Sequence, residues 1–286
     1  MKREKRSVIM TVWSACYPPA LYLGITMVIE MIMMIVMMLS YISANGISAA
    51  EIGSQAMING FLNEFYKDAM MIQWICSMVS CVVFALLMLL DMRRRKQEGY
   101  VPEQTTANVA KIFLILPLAV VACLGFNHVI SFLPAELAES YNEIAELMYS
   151  GDKLMIVLAV VIFGPIVEEL VFRGLVYRRF REILNVWPAA ILSSVMFGIF
   201  HGNMVQFIYA TCLGLVMVFI YEKYQSVWAS ILFHVATNAV SLLFTFLPLP
   251  GIEHILVYFV IMALELALTA IFMATIHACV KKIKEA

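Results

Sequence analysis

The sequence predicts an all-α fold, a polytopic membrane bundle of about eight transmembrane helices. Three observations predict it. Of the 286 residues 63% are hydrophobic and only 14% charged, with a mean hydropathy of +0.90, whereas a soluble domain carries about a quarter of its residues charged. The apolar residues gather in runs close to the roughly 20 that a helix needs to cross a hydrocarbon core. Short basic clusters fall between alternate runs, the pattern that retains loops on the cytoplasmic side.

Taken in order, the runs cover 17–42, 69–91, 109–133, 153–176, 187–202, 204–222, 227–247 and 255–279. Between the first two, the stretch Asn45 to Asp68 is more polar but places Ile52, Met57, Ile58, Phe61 and Phe65 at helical spacing, which predicts a helix lying at the membrane surface. The chain divides accordingly into an N-terminal part (1–152), a core (153–246) and a last helix with its tail (247–286). Lys2, Arg3, Lys5 and Arg6 precede an apolar run far longer than that of a cleavable signal, so a retained first helix is expected.

Basic residues at 2–6, at Arg93–Lys96, at Arg178, Arg179 and Arg181, at Lys223 and at Lys281, Lys282 and Lys284 belong to one side. The opposite loops hold Glu51, Glu64, Asp68, Glu136, Glu139, Glu143, Glu146, Asp152 and Glu253. The expected topology is a multi-pass protein of the plasma membrane with both termini cytoplasmic. Net charge is -1, and its clustered distribution predicts contact with membrane lipid and no nucleic-acid partner. Cys16, Cys76, Cys81, Cys123, Cys212 and Cys279 show neither CxxC spacing nor paired loop positions, and read as small apolar packing residues.

Ionisable residues inside apolar runs cost several kcal/mol each and call for a reason. The fourth run contains Glu168, Glu169 and Arg173; on a helix Glu169 and Arg173 share a face and can pair, while Glu168 points about 100° away. The fifth ends in Phe197-x-x-x-His201 and the seventh contains His234-x-x-x-Asn238, each pair on one helical face. Three polar stripes on three helices are satisfied most cheaply by facing one another across a wet cavity. Counting 1.5 Å per residue from the basic ends puts Glu168, His201 and His234 at roughly 15, 21 and 12 Å depth. His201 comes out deepest, which predicts a tilted helix or a re-entrant turn at Gly202-Asn203.

In this order and at this depth, the Glu-Glu-x-x-x-Arg, Phe-x-x-x-His and His-x-x-x-Asn motifs resemble those of the CAAX-processing endopeptidase and bacteriocin-processing (CPBP, Abi) family of intramembrane proteases. The resemblance covers about residues 153–246. It implies a helical bundle with a cavity open to the cytosol, and a substrate that is a membrane-associated or lipidated peptide or membrane protein. It also implies roles: Glu168 as general base, His201 holding the water, His234 and Asn238 stabilising the oxyanion, with Glu169 and Arg173 completing the motif. The chemistry is coherent, because amide hydrolysis needs an activated water and donors aimed at the developing oxyanion.

The same family is often labelled metal-dependent, and Glu168, His201 and His234 are a chemically suitable Zn²⁺ set. With no HExxH helix in the sequence, the metal-free glutamate mechanism is favoured and no cofactor is required by it. Two alternatives use the same residues differently: a non-enzymatic membrane scaffold or self-immunity protein, and a proton-coupled transporter. No inverted repeat supports the last of these.

Overall fold

The computed structural model describes residues 8–101, 103–134, 136–137, 139, 142, 146, 149, 151–247 and 254–283. Lys2, Arg3, Lys5, Arg6, Glu143, Glu253 and Lys284, which entered the predicted topology, lie outside the described residues. Among the described residues the fold is helical, as predicted. The helices are α1 (Val8–Ala44), α2 (Gln55–Lys67), α3 (Ala69–Gln97), α4 (Val109–Ile130), α5 (Lys153–Phe180), α6 (Val186–Phe200), α7 (Met204–Tyr224), α8 (Val227–Phe246) and α9 (Ile255–Cys279).

Seven of these are long and apolar enough to cross a membrane, matching seven of the expected runs. The fifth run, 187–202, differs. It forms α6, with only 15 residues, or about 22 Å at 1.5 Å per residue, less than the roughly 30 Å of a bilayer core. Gly202, at φ +72°, takes the left-handed turn that ends it. Asn203 then caps α7, its side chain accepting from the Gln206 N–H at 2.8 Å. A tight turn thus stands at Gly202-Asn203, and α6 and α7 pack against each other as a hairpin.

A second difference is at the start. The helix predicted from residue 17 begins at Val8 and runs through Pro18 and Pro19. Proline at 18 removes the N–H that would bond to the Ser14 carbonyl. Arg179 from the end of α5 donates to that carbonyl instead, and its guanidinium also lies 5.0 Å from the Tyr17 ring centroid.

This contact belongs to a charged plate that fixes the ends of several helices. Asp91 on α3 accepts from Arg94, Arg95 and Arg179, and Glu182 accepts from Arg94 and forms an ion pair with Arg95. The chain after α9 pairs with the α3–α4 loop through Thr106 N–H to the Lys281 carbonyl, 2.8 Å, and Lys282 reaches Glu222 at the end of α7. The described basic clusters therefore gather on one face of the bundle, as their alternation predicts.

The surface helix α2 also forms, though only over Gln55–Lys67, with Ser54 as its cap and Met57 and Phe61 as its buried face. Its predicted apolar partner Ile52 falls in the preceding turn and is exposed. In the core, α8 packs on α4, α5 and α7; α1 and α3 close α5 from the other side; and α9 lies on α4.

Candidate active site

Helix α5 carries the acidic motif, and its winding is irregular. An α-helical turn, Gly164–Glu169, lies between π-helical stretches Val157–Phe163 and Leu170–Tyr177. Wide turns of this kind recur at functional sites because they redirect side chains without ending a helix. The sequence accounts for the first one. In π winding the Gly164 N–H bonds to the Ala159 carbonyl, and the Val160 carbonyl would next accept from Pro165, which has no N–H. Asn238 on α8 supplies the donor, its Nδ2 lying 2.8 Å from the Val160 oxygen. Replacing Asn238 by Ala is expected to lower stability by about 1–3 kcal/mol, the cost of a buried acceptor left bare; thermal unfolding in detergent measures it, and an unchanged melting temperature would contradict the bond.

The two adjacent glutamates occupy different environments. Glu169 is fully buried, and its Oε1 accepts from Arg173 Nη1 at 2.7 Å and lies 3.1 Å from His234 Nδ1. Arg173, also fully buried, spends Nη2 on the Gly214 carbonyl at 3.1 Å and sets its guanidinium carbon 4.6 Å from the Phe197 ring centroid. Glu168 is the partly exposed carboxylate, 17% accessible, with Oε2 at 3.6 Å from His234 Nε2. A carboxylate locked by a guanidinium and an imidazole is poorly available to a substrate. Its neighbour is free to meet one.

Phe197 explains the FxxxH spacing. Its ring stands edge-on to His201, centroids 4.8 Å apart, and edge-on to His234 at 5.6 Å. His201 Nδ1 lies 2.8 Å from the Phe197 carbonyl, an arrangement in which Nδ1 donates and Nε2 is left as an acceptor. The structure thus brings Glu168, Glu169, Arg173 and His234 into direct contact, holds His201 one ring away, and gives Asn238 to the backbone of α5.

Residues outside the motifs complete the wall. Tyr22 on α1 is buried, stacks on Phe200 at 5.0 Å between centroids, and lies within electrostatic reach of Glu168. A tyrosine in an apolar run reads as packing, so nothing in the sequence distinguishes it. Gly214 lies against Ser194 and Arg173; a Cβ on it would come 3.0 Å from the Ser194 Cβ and 3.1 Å from Arg173 Nη2.

Gly198, inside FxxxH, packs tightly against α7: a Cβ there would lie 2.6 Å from the Phe207 carbonyl and closer still to the Thr211 hydroxyl. Gly198→Ala is expected to cost about 1–3 kcal/mol by overpacking and to lower activity by displacing Phe197 and His201. Normal melting with normal activity would show that the hairpin is looser than this geometry.

The ligand set considered for zinc does not fit as found. Among the described residues no three His, Cys, Asp or Glu side chains are grouped closely enough to hold a metal ion.

Residues 150–240 match the family model described as Type II CAAX prenyl endopeptidase Rce1-like. Over this region the chain is similar to the CAAX-endopeptidase family. The motif resemblance is borne out. The chain is also similar to "Putative membrane peptidase YdiL" of Bacillus subtilis (strain 168), with 26% identity over 168 residues, 57% of this chain and 67% of that protein. No solved structure matches the chain significantly. The two matches and the apolar helices support a multi-pass membrane protease.

Proposed function

We propose that this chain is an intramembrane endopeptidase that hydrolyses a peptide bond of a membrane-associated or lipidated peptide or protein, with Glu168 as the base that activates water. The observation that carries this reading is the division of labour between the paired carboxylates: Glu169 is hydrogen-bonded to Arg173 and His234, while Glu168 is partly exposed and has only a looser ion-pair contact, 3.6 Å, with His234 Nε2.

In this mechanism Glu168 takes a proton from the attacking water, and His201 Nε2 accepts the water's other hydrogen, orienting its lone pair at the scissile carbonyl. His234 keeps Nδ1 towards Glu169, which leaves Nε2 to donate to the oxyanion when the ring carries both protons, with Glu169 steadying that cation. Glu168 then returns its proton to the leaving amine. Asn238 contributes by holding the Val160 turn, and so the height of Glu168. Every step is performed by side chains of the chain itself and water.

The test is incubation of the detergent-purified protein with a quenched-fluorescent library of lipidated peptides, with and without a membrane-permeant chelator. Cleavage that survives the chelator is expected. Cleavage abolished by the chelator and restored by Zn²⁺ would replace the glutamate mechanism by a metal one; a phenotype indifferent to Glu168→Ala would favour the scaffold.

A further inference from the structure

On the basic face, Arg95, Arg178, Arg181, Lys282, Glu103 and Glu222 line a cleft of about 140 Å³ together with two tyrosines, Tyr100 and Tyr221. Its charges are not all matched. Arg181 and Lys282 share Glu222, and Lys282 also meets Glu103. Burial opposes the Lys282 ammonium, but those two carboxylates outweigh it and raise its pKa, so it stays charged. Arg95 is matched by Asp91 and Glu182. Arg178 has no carboxylate within ion-pair distance among the described residues, and the Tyr100 and Tyr221 hydroxyls make no hydrogen bond there. One guanidinium and two hydroxyls therefore face the cleft as uncommitted donors, the chemistry of an oxyanion site.

The height of the cleft identifies the oxyanion. Trp187 and Trp228, 76% and 67% exposed, open α6 and α8 six residues after Arg181 and three after Gln225, which also lines the cleft, and Trp13 near the start of α1 is 72% exposed. Exposed tryptophans at the basic ends of helices mark the level where headgroups meet acyl chains. At that level the abundant anion is the phosphodiester of a phospholipid, and basic pockets between helices on the positive side recognise anionic headgroups.

We propose that this cleft binds the headgroup phosphate of an anionic phospholipid, with Arg178 as its principal ligand and Tyr100 and Tyr221 as hydroxyl donors. Arg178 follows Glu168 by ten residues on α5, beyond the π-helical stretch Leu170–Tyr177. The site is separate from the carboxylate cluster, and the lipid would clamp the basic end of the helix that carries it.

The experiment is tryptophan-fluorescence melting of the full chain in neutral detergent, titrated with phosphatidylglycerol, phosphatidylcholine or inorganic phosphate. Wild type is expected to gain several degrees with phosphatidylglycerol and none with phosphatidylcholine. Arg178→Gln, which breaks no ion pair, should melt like wild type without lipid and need about tenfold more phosphatidylglycerol for the same shift. Arg93→Gln, exposed on the same face but outside the cleft, should respond like wild type. An undiminished shift in Arg178→Gln, no shift in wild type, or a shift reproduced in full by inorganic phosphate would each overturn the lipid site, the last by making it a site for a free anion.

Discussion

Glu168→Gln is expected to lower kcat/KM by about 10²–10⁴ while leaving the fold intact, the contribution of a positioned general base. The structure predicts this separation of activity from stability because, among the described residues, Glu168 has no side-chain hydrogen bond and its ion-pair contact is with His234 Nε2, at 3.6 Å. The amide is nearly isosteric with the carboxylate and removes its basicity alone. Steady-state cleavage by variants of matched melting temperature measures it. A loss of less than about tenfold would take the base role from Glu168.

Arg173→Met is expected to destabilise the protein by about 3–5 kcal/mol, because it strands the Glu169 charge where both side chains have no accessible surface. The guanidinium also bonds to the Gly214 carbonyl and lies over Phe197, so its loss unpins α7 and α6 as well. Changing both partners, Arg173→Met with Glu169→Leu, should recover much of the stability, since no buried charge is left unpaired. Activity should not return, because His234 loses the carboxylate that orients Nδ1. Melting and cleavage of the single and double variants measure the two effects. A double variant as unstable as Arg173→Met alone would mean that the ion pair is not the source of the loss.

The sequence carried the fold because lipid imposes a length and a composition on each crossing element. Spacing at i, i+4 was enough to pair Glu169 with Arg173, and helical periodicity was enough to mark Met57 and Phe61 as the buried face of the surface helix. What stayed hidden depended on neighbours that no local pattern names. The bond of Asn238 to the Val160 carbonyl follows from a missing N–H at Pro165 and from the register of α8 on α5. The first run is expected from residue 17, whereas the helix begins at Val8 and runs through Pro18, and the freed Ser14 carbonyl is met by an arginine 165 residues away. Tyr22 joins the site only because α1 folds back against Phe200.

Hydrolysis itself is tested most directly by mass spectrometry of a lipidated peptide library after incubation with proteoliposomes of wild type and of Glu168→Gln at equal folded concentration. Peptide products of a defined cleavage are expected from wild type and background levels from the variant. Equal products from both, at the same bond, would contradict the role of Glu168.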